Sequence, residues 1–71
     1  MNKTQEREEI IKAFLEYDFV LTQNQKQIMH LHYIEDLSMG EISEIVATTR
    51  SAVFDAIDKS RKKLKPFINY K

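Results

Sequence analysis

Hydrophobic side chains recur along the chain at the spacing of amphipathic helices. The first predicted helix covers residues 5–18, behind an N-terminal cap at Thr4 or Asn2. Its apolar positions fall at i, i+1, i+4 and i+5 and form one stripe: Ile10, Ile11, Phe14 and Leu15. We expect this stripe to pack into the core.

A second helix is predicted over residues 23–34. Thr22 and Gln25 have the spacing of a capping box, and Leu21 precedes them as a hydrophobic staple. Residues 28–34 are apolar on more than one side, which is typical of a central helix packed by several neighbours.

A shorter third helix is predicted over residues 39–46. Ser38 and Glu41 form a second capping-box pattern at its start. The inner stripe of this helix is expected to consist of Ile42, Ile45 and Val46.

The fourth predicted helix covers residues 50–65 and follows a short connection, residues 47–49. Thr49 is placed to cap it, and Pro66 ends it at or before Lys65. Its buried positions repeat at i, i+4, i+7 and i+11: Val53, Ile57, Ser60 and Leu64.

The composition favours an all-α fold. The 71 residues suffice for one small domain and contain one glycine, one proline and no cysteine. An all-β fold would need more turn residues, and the absence of cysteine excludes disulfides. We predict one domain over residues 1–71, built as a small bundle of about four helices.

The sequence also predicts a cytoplasmic protein. No apolar stretch approaches the roughly 18 residues that a membrane span needs. The first residues, Met1 to Glu6, lack the apolar core of a signal peptide. We therefore expect no membrane contact.

No residue pattern indicates catalysis or a cofactor. His30 and His32 stand two residues apart, about 200° around a helix, so they cannot bind one metal ion together. The sequence has no nucleophile–base pair, paired acidic site or glycine-rich phosphate loop. We expect no enzyme activity, metal, cofactor or small-molecule substrate.

Charge is unevenly distributed along the chain. The net charge is −5 over residues 1–45 and +5 over residues 46–71, and it sums to zero. Such a dipole could direct the basic end towards phosphates. A helix whose last turns carry cations, as the helix macrodipole favours, would show the same pattern.

Residues 38–65 have the outline of a helix-turn-helix: a capped two-turn helix, a tight turn and a longer second helix. This geometry suits duplex DNA because an α-helix fits the major groove and the preceding helix crosses the DNA backbone. An ordinary small bundle can contain the same unit, so the outline alone leaves both interpretations open.

Several motifs, in this order, resemble the YlxM-like family of small bacterial proteins. They are Leu21-Thr22 with Gln25-Lys26, His32 to Ser38, Glu41-Ile42 with Glu44, and Arg50 to Asp55. The resemblance runs from about Phe14 to Leu64. The family looks like region 4 of sigma factors, whose helix-turn-helix recognises promoters.

The resemblance implies an all-helical fold, DNA binding and a role in transcription regulation. Genes of the family tend to sit beside those of the signal recognition particle, which implies partners in that pathway. The chain departs from the family pattern at Ala47, where the family has a turn glycine, and at Thr48, where it has an apolar residue. A left-handed conformation at Ala47 would cost on the order of 1 kcal/mol. Family members also generally continue with further helix beyond this chain's last residue, Lys71, so a homodimer is left open.

The candidate DNA-contacting residues lie on the face of the fourth helix opposite its buried stripe, and at helix starts. The base-facing set comprises Arg50, Ser51, Phe54, Asp55 and Asp58. The set facing the DNA backbone comprises Thr22, Lys26, Ser38, Thr49, Arg61, Lys62 and Lys65. Asp55 and Asp58 repel phosphates, so the sequence predicts weak general affinity for DNA.

A second hypothesis is a protein–protein or ribonucleoprotein adaptor that does not bind DNA. The apolar tail Phe67, Ile68 and Tyr70 favours a surface for a partner or a second copy. The tail could equally fold back on the first helix.

Overall fold

The computed structural model describes the backbone of residues 3–68 and the side chains from Glu6 onwards. Its α-helices are α1 (Lys3–Tyr17), α2 (Gln23–Met29), α3 (Met39–Ile45) and α4 (Arg50–Leu64). Shorter elements connect them: 3₁₀ turns at Asp18–Val20 and Lys65–Phe67 and a π-helical turn at His30–Ile34. Residues 3–68 contain no strand, and the predicted all-α fold of four helices is confirmed. Every helix in this range is too short or too polar to span a bilayer.

The predicted helix boundaries agree with the structure to within about two residues. Because α1 begins at Lys3, Thr4 lies inside this helix and is not its cap; Asn2 lies outside the described residues. The second predicted helix has the right extent, but from His30 it widens into the π-helical turn. Pro66 lies in the 3₁₀ turn directly after α4.

Side-chain caps start α2, α3 and α4. Thr22 and Gln25 exchange two hydrogen bonds of 3.1 Å, and Ser38 and Glu41 exchange two of 3.0 and 3.2 Å. Both predicted capping boxes are therefore confirmed, and they satisfy N–H groups that have no partner inside the helix. Hydrogen bonds from Ser38, first its backbone N–H and then its hydroxyl, lower the pKa of Glu41 because they stabilise the carboxylate.

The core is built around α4, on which α1, α2 and α3 all pack. Val53, Ser60 and Leu64 are completely buried, as the predicted stripe requires. The Ser60 hydroxyl donates to the carbonyl oxygen of Ala56 at 2.7 Å, so no polar group is left unpaired there. The second predicted helix is packed by several neighbours, as expected: its Ile28 and Met29 are completely buried, and it contacts both α3 and α4.

Two positions of the predicted apolar stripes are exposed. Leu15 in α1 is 64% exposed and Ile45 in α3 is 54% exposed, so their assignment to the core is wrong. A small bundle covers only a narrow arc of each outer helix, and the core needs Ile10 and Phe14 from α1 and Ile42 from α3.

The apolar tail folds back on α1. Ile68 is buried, and the Phe67 ring stacks on that of Tyr17, with 4.4 Å between the ring centroids. The second alternative for the tail is therefore the one observed for Phe67 and Ile68. Tyr70 lies outside the described residues.

Two non-glycine residues adopt the left-handed backbone conformation after helices. Ala47, at φ 55°, follows α3, and the Thr48 N–H then bonds to the Ser43 carbonyl at 2.9 Å, which completes a Schellman motif. The left-handed conformation considered for Ala47 is the one observed. Asp36, at φ 60°, was not anticipated; its carboxylate pairs with the Arg7 guanidinium at 3.2 Å. Aspartate tolerates the left-handed conformation better than most residues, so the aspartate at position 36 is the sequence feature that could have indicated this turn.

Replacing Ala47 with glycine should stabilise the fold. Left-handed strain of about 1–2 kcal/mol would be relieved, against an entropic cost of about 0.4–1 kcal/mol, so the free energy of unfolding should rise by about 0.5 kcal/mol. The matched control Ala52→Gly changes an exposed residue inside α4 and should destabilise by about 0.5–1 kcal/mol. Urea denaturation followed by circular dichroism measures both. Equal destabilisation by the two variants would show that the turn is unstrained.

Candidate nucleic-acid interface

α3, the turn at residues 46–49 and α4 form the predicted helix-turn-helix unit. Ile42 of α3 and Val53 of α4 are completely buried where the two helices pack. The opposite face of α4 is left uncovered by the described part of the chain. All five residues predicted to face bases are exposed there: Arg50, Ser51, Phe54, Asp55 and Asp58.

The two carboxylates of this face form ion pairs along α4. Asp55 pairs with Lys59 at 3.1 Å and Asp58 pairs with Lys62 at 3.1 Å, each one turn apart. Exposed ion pairs of this kind stabilise a helix by only about 0.3–0.5 kcal/mol, so a phosphate could replace the aspartate at little energetic cost. These pairs neutralise much of the positive charge on this face of α4.

Arg50 lies against α3. A Cβ atom added at Gly40 would come within 2.9 Å of the Arg50 Nη2 atom and 3.2 Å of its Cζ. The single glycine of the chain, inside the first turn of α3, therefore leaves room for the guanidinium. This role of Gly40 was not predicted, although an isolated glycine inside a helix can have a packing or functional reason.

Arg61 connects α4 to α1. Its Nη2 atom lies 3.0 Å from Glu6 Oε1, across a groove of about 290 Å³ between the two helices. The groove also contains Lys62 and Lys65, so these three predicted phosphate-contacting side chains lie together. Glu6, the partner of Arg61, was missed because an ion pair between residues 55 positions apart leaves no local pattern.

The remaining predicted residues serve as caps or lie on α2. The hydroxyls of Thr22, Ser38 and Thr49 accept backbone N–H groups in their capping roles. Lys63 donates to Gln25 Oε1 at 2.9 Å and ties the start of α2 to α4 on the flank away from the base-facing residues. Among the described contacts, none brings Thr22 or Lys26 to the exposed face of α4.

An aromatic recess borders Phe54. It has a volume of about 90 Å³ and is lined by His32, Tyr33, Met39, Phe54, Ile57, Asp58 and Arg61. The His32 and Tyr33 rings meet edge to face at 4.6 Å, and the Arg7 guanidinium lies 5.1 Å from the Tyr33 ring centroid. Within the described residues, no three acidic, histidine or cysteine side chains converge as a metal site would require.

Burial perturbs both rings of this recess. Burial lowers the pKa of His32 and outweighs the backbone of Leu37, which acts in the opposite direction. Burial also raises the pKa of Tyr33, so both rings are neutral at pH 7. The buried Nδ1 atom of His32 has no hydrogen-bond partner among the described residues, which agrees with a neutral imidazole.

The fold and this exposed face define a helix-turn-helix protein. Residues 1–70 match the family described as "Putative helix-turn-helix protein, YlxM / p13 like", and the chain belongs to this family, UPF0122. The UPF0122 protein of Clostridium novyi (strain NT) is 44% identical over 48 residues, which are 68% of this chain and 42% of the relative. A UPF0122 protein of Bacillus thuringiensis (strain Al Hakam) is 41% identical over 51 residues, 72% of this chain and 46% of the relative.

The chain therefore matches less than half the length of these curated relatives. No solved structure matches it.

The buried imidazole predicts a loss of stability in mild acid. Because the pKa of His32 is lower in the folded state than the unfolded value of 6.5, the unfolded state binds the proton first. The neutral His32 therefore contributes fully to the free energy of unfolding above pH 6.5. This contribution is lost as the pH falls through the pKa of His32 in the folded state. In urea denaturation at pH 7.5 and pH 5.5, His32→Phe should lose less stability on acidification than the unaltered protein.

The matched control for this prediction is His30→Gln, because His30 is exposed and lies 3.5 Å from Glu35. This variant should keep the dependence on pH that His32 causes. An identical loss of stability in His32→Phe and the unaltered protein would show that His32 is not its source.

Proposed function

We propose that this protein binds duplex DNA, with α4 in the major groove and α3 across the DNA backbone. The observation that carries the proposal is the exposed face of α4, directly after a capped α3 and a Schellman turn. An α-helix presented in this way fits the width of the major groove. Membership of a helix-turn-helix family supports the same function.

Contacts to bases would come from the first two turns of α4. Arg50 and Ser51 offer hydrogen-bond donors to base edges, and the exposed Phe54 ring offers an apolar contact to a thymine methyl group. Contacts to phosphates would come from Lys62, Lys65 and Arg61, and from the helix starts at Ser38 and Thr49.

The expected affinity is low and depends on salt. Lys62 and Arg61 must each exchange a carboxylate for a phosphate, and the protein has no net charge. Non-specific binding should therefore lie at the weak end of the usual range, roughly 10⁻⁴ to 10⁻⁶ M. One helix-turn-helix unit makes few contacts with DNA, so sequence specificity would need a dimer or a larger complex. In this proposal the protein is cytoplasmic and regulates transcription.

The second candidate is an adaptor in the signal recognition particle pathway that does not bind DNA. The observation that favours it is the pairing of Asp55 and Asp58 with the lysines of the same face. These pairs leave a nearly neutral surface, which suits a protein partner better than a polyanion.

Titration of a fluorescent duplex, followed by anisotropy at low and moderate salt, tests the leading proposal. Asp58→Asn removes a repulsive charge and releases Lys62, so DNA affinity should increase several-fold. Lys62→Ala should weaken binding and lower the slope of log K against log salt by roughly one unit. The matched control Lys12→Ala changes an exposed lysine of α1 and should leave affinity unchanged. If the protein fails to bind at about 100 µM, the adaptor becomes the better hypothesis.

Replacing Gly40 with alanine should separate stability from DNA binding. The new methyl group displaces the Arg50 guanidinium, while alanine improves the helix propensity by about 1 kcal/mol. We expect Gly40→Ala to be at least as stable as the unaltered protein. Its preference among duplexes of different sequence should change in the same way as that of Arg50→Ala. Competition between labelled and unlabelled duplexes measures this preference. An unchanged preference in Gly40→Ala would show that the position of Arg50 against α3 is not used.

A further inference from the structure

A second groove lies along α1, far from the start of α4. It has a volume of about 180 Å³ and is formed between α1 and the 3₁₀ turn that follows α4. We call it the α1 groove and define it by its lining residues: Glu9, Lys12, Ala13, Glu16, Tyr17 and Phe67. None of these residues belongs to the candidate nucleic-acid interface.

Aromatic rings form one end of the α1 groove. Phe67 stacks on Tyr17 with an interplanar angle of 14°, and Phe19 meets Tyr17 edge to face at 6.1 Å. Phe67 is 40% exposed and Phe19 is 69% exposed. Three neighbouring rings, two of them open to solvent, form an aromatic cluster that the described chain does not cover.

Carboxylates line the rest of the α1 groove. Glu9 and Glu16 lie two turns apart on one side of α1, with Lys12 as the cation of the lining. Among the described side chains, these three residues form no ion pair. The α1 side of the groove belongs to residues 1–45, whose net charge is −5, whereas Phe67 belongs to residues 46–71, whose net charge is +5.

We infer that the α1 groove binds an arginine-bearing segment of a partner protein. A guanidinium can stack on an aromatic ring and at the same time donate paired hydrogen bonds to a carboxylate. The exposed rings and the unpaired Glu9 and Glu16 supply both groups side by side. Lysine matches this chemistry less well because its ammonium is compact and more strongly hydrated.

The α1 groove lies away from the proposed base contacts, although Lys65, a proposed phosphate contact, is in the same 3₁₀ turn as Phe67. Phe67 follows the C-terminal end of α4, whereas Arg50 and Ser51 begin this helix. The 15 residues of α4 separate the two ends by about 20 Å. The inference about the α1 groove does not depend on DNA binding.

Anisotropy titrations with synthetic peptides test this inference. The probe is a labelled 12-residue peptide of alternating arginine and leucine, compared with versions that carry lysine or glutamate in place of arginine. We expect the arginine peptide to bind more tightly than the lysine peptide and the glutamate peptide not to bind. The double variant Glu9→Gln/Glu16→Gln should weaken binding by about fivefold or more, and Phe67→Leu by about threefold.

Matched controls come from the same chain. Glu44→Gln removes an exposed carboxylate of α3, and Phe54→Leu removes an exposed ring of α4; neither should change peptide affinity. An equal loss in these controls would mean that general acidity or exposed apolar surface attracts the peptide, and it would overturn the inference. Absence of binding at about 100 µM would also overturn it, as would sedimentation showing a dimer that Phe67→Leu dissociates, because a second copy would then cover the groove.

Discussion

The structure depends on the burial of one face of α4. Val53, Ser60 and Leu64 lose all contact with solvent because α1, α2 and α3 pack on this single helix. A serine at the centre of the core is tolerated since its hydroxyl bonds to a carbonyl of its own helix. Once this face is buried, the direction of the opposite face is also determined. The exposed surface proposed to contact DNA is therefore a consequence of the packing of the core.

The connections between helices are fixed by local chemistry that requires little glycine. Capping boxes start α2 and α3, and left-handed residues that are not glycine follow both the π-helical turn and α3. Arg7 supports the first of these bends, because it contacts the Asp36 carboxylate, the Tyr33 carbonyl oxygen and the Tyr33 ring. A chain of 71 residues has limited surface to bury, so these individually small contributions matter to its stability.

Charged side chains are arranged differently on α4 and on α1. Along α4, aspartates and lysines pair within the helix, which reduces the attraction for a polyanion but leaves pairs that are weak enough to exchange. Along α1, Glu9 and Glu16 flank an aromatic cluster without partners among the described side chains.

The sequence by itself determined the features that depend on neighbours three or four positions apart. These include both capping boxes, the cap at Thr49 and the buried stripe of α4. It also identified an exposed face of α4, because helical periodicity alone places Arg50, Ser51 and Phe54 away from the core.

Tertiary structure decided what each exposed side chain touches and which apolar residues stay uncovered. Leu15 and Ile45 satisfy the helical period but find no neighbouring helix, whereas Ile68 has no periodic partner and is buried against the bundle. Arg50 packs beside Gly40, and Arg61 forms an ion pair with Glu6. Both contacts join residues that are not neighbours in the sequence. No local pattern encodes such contacts, since they arise only when packing has set the distances between helices.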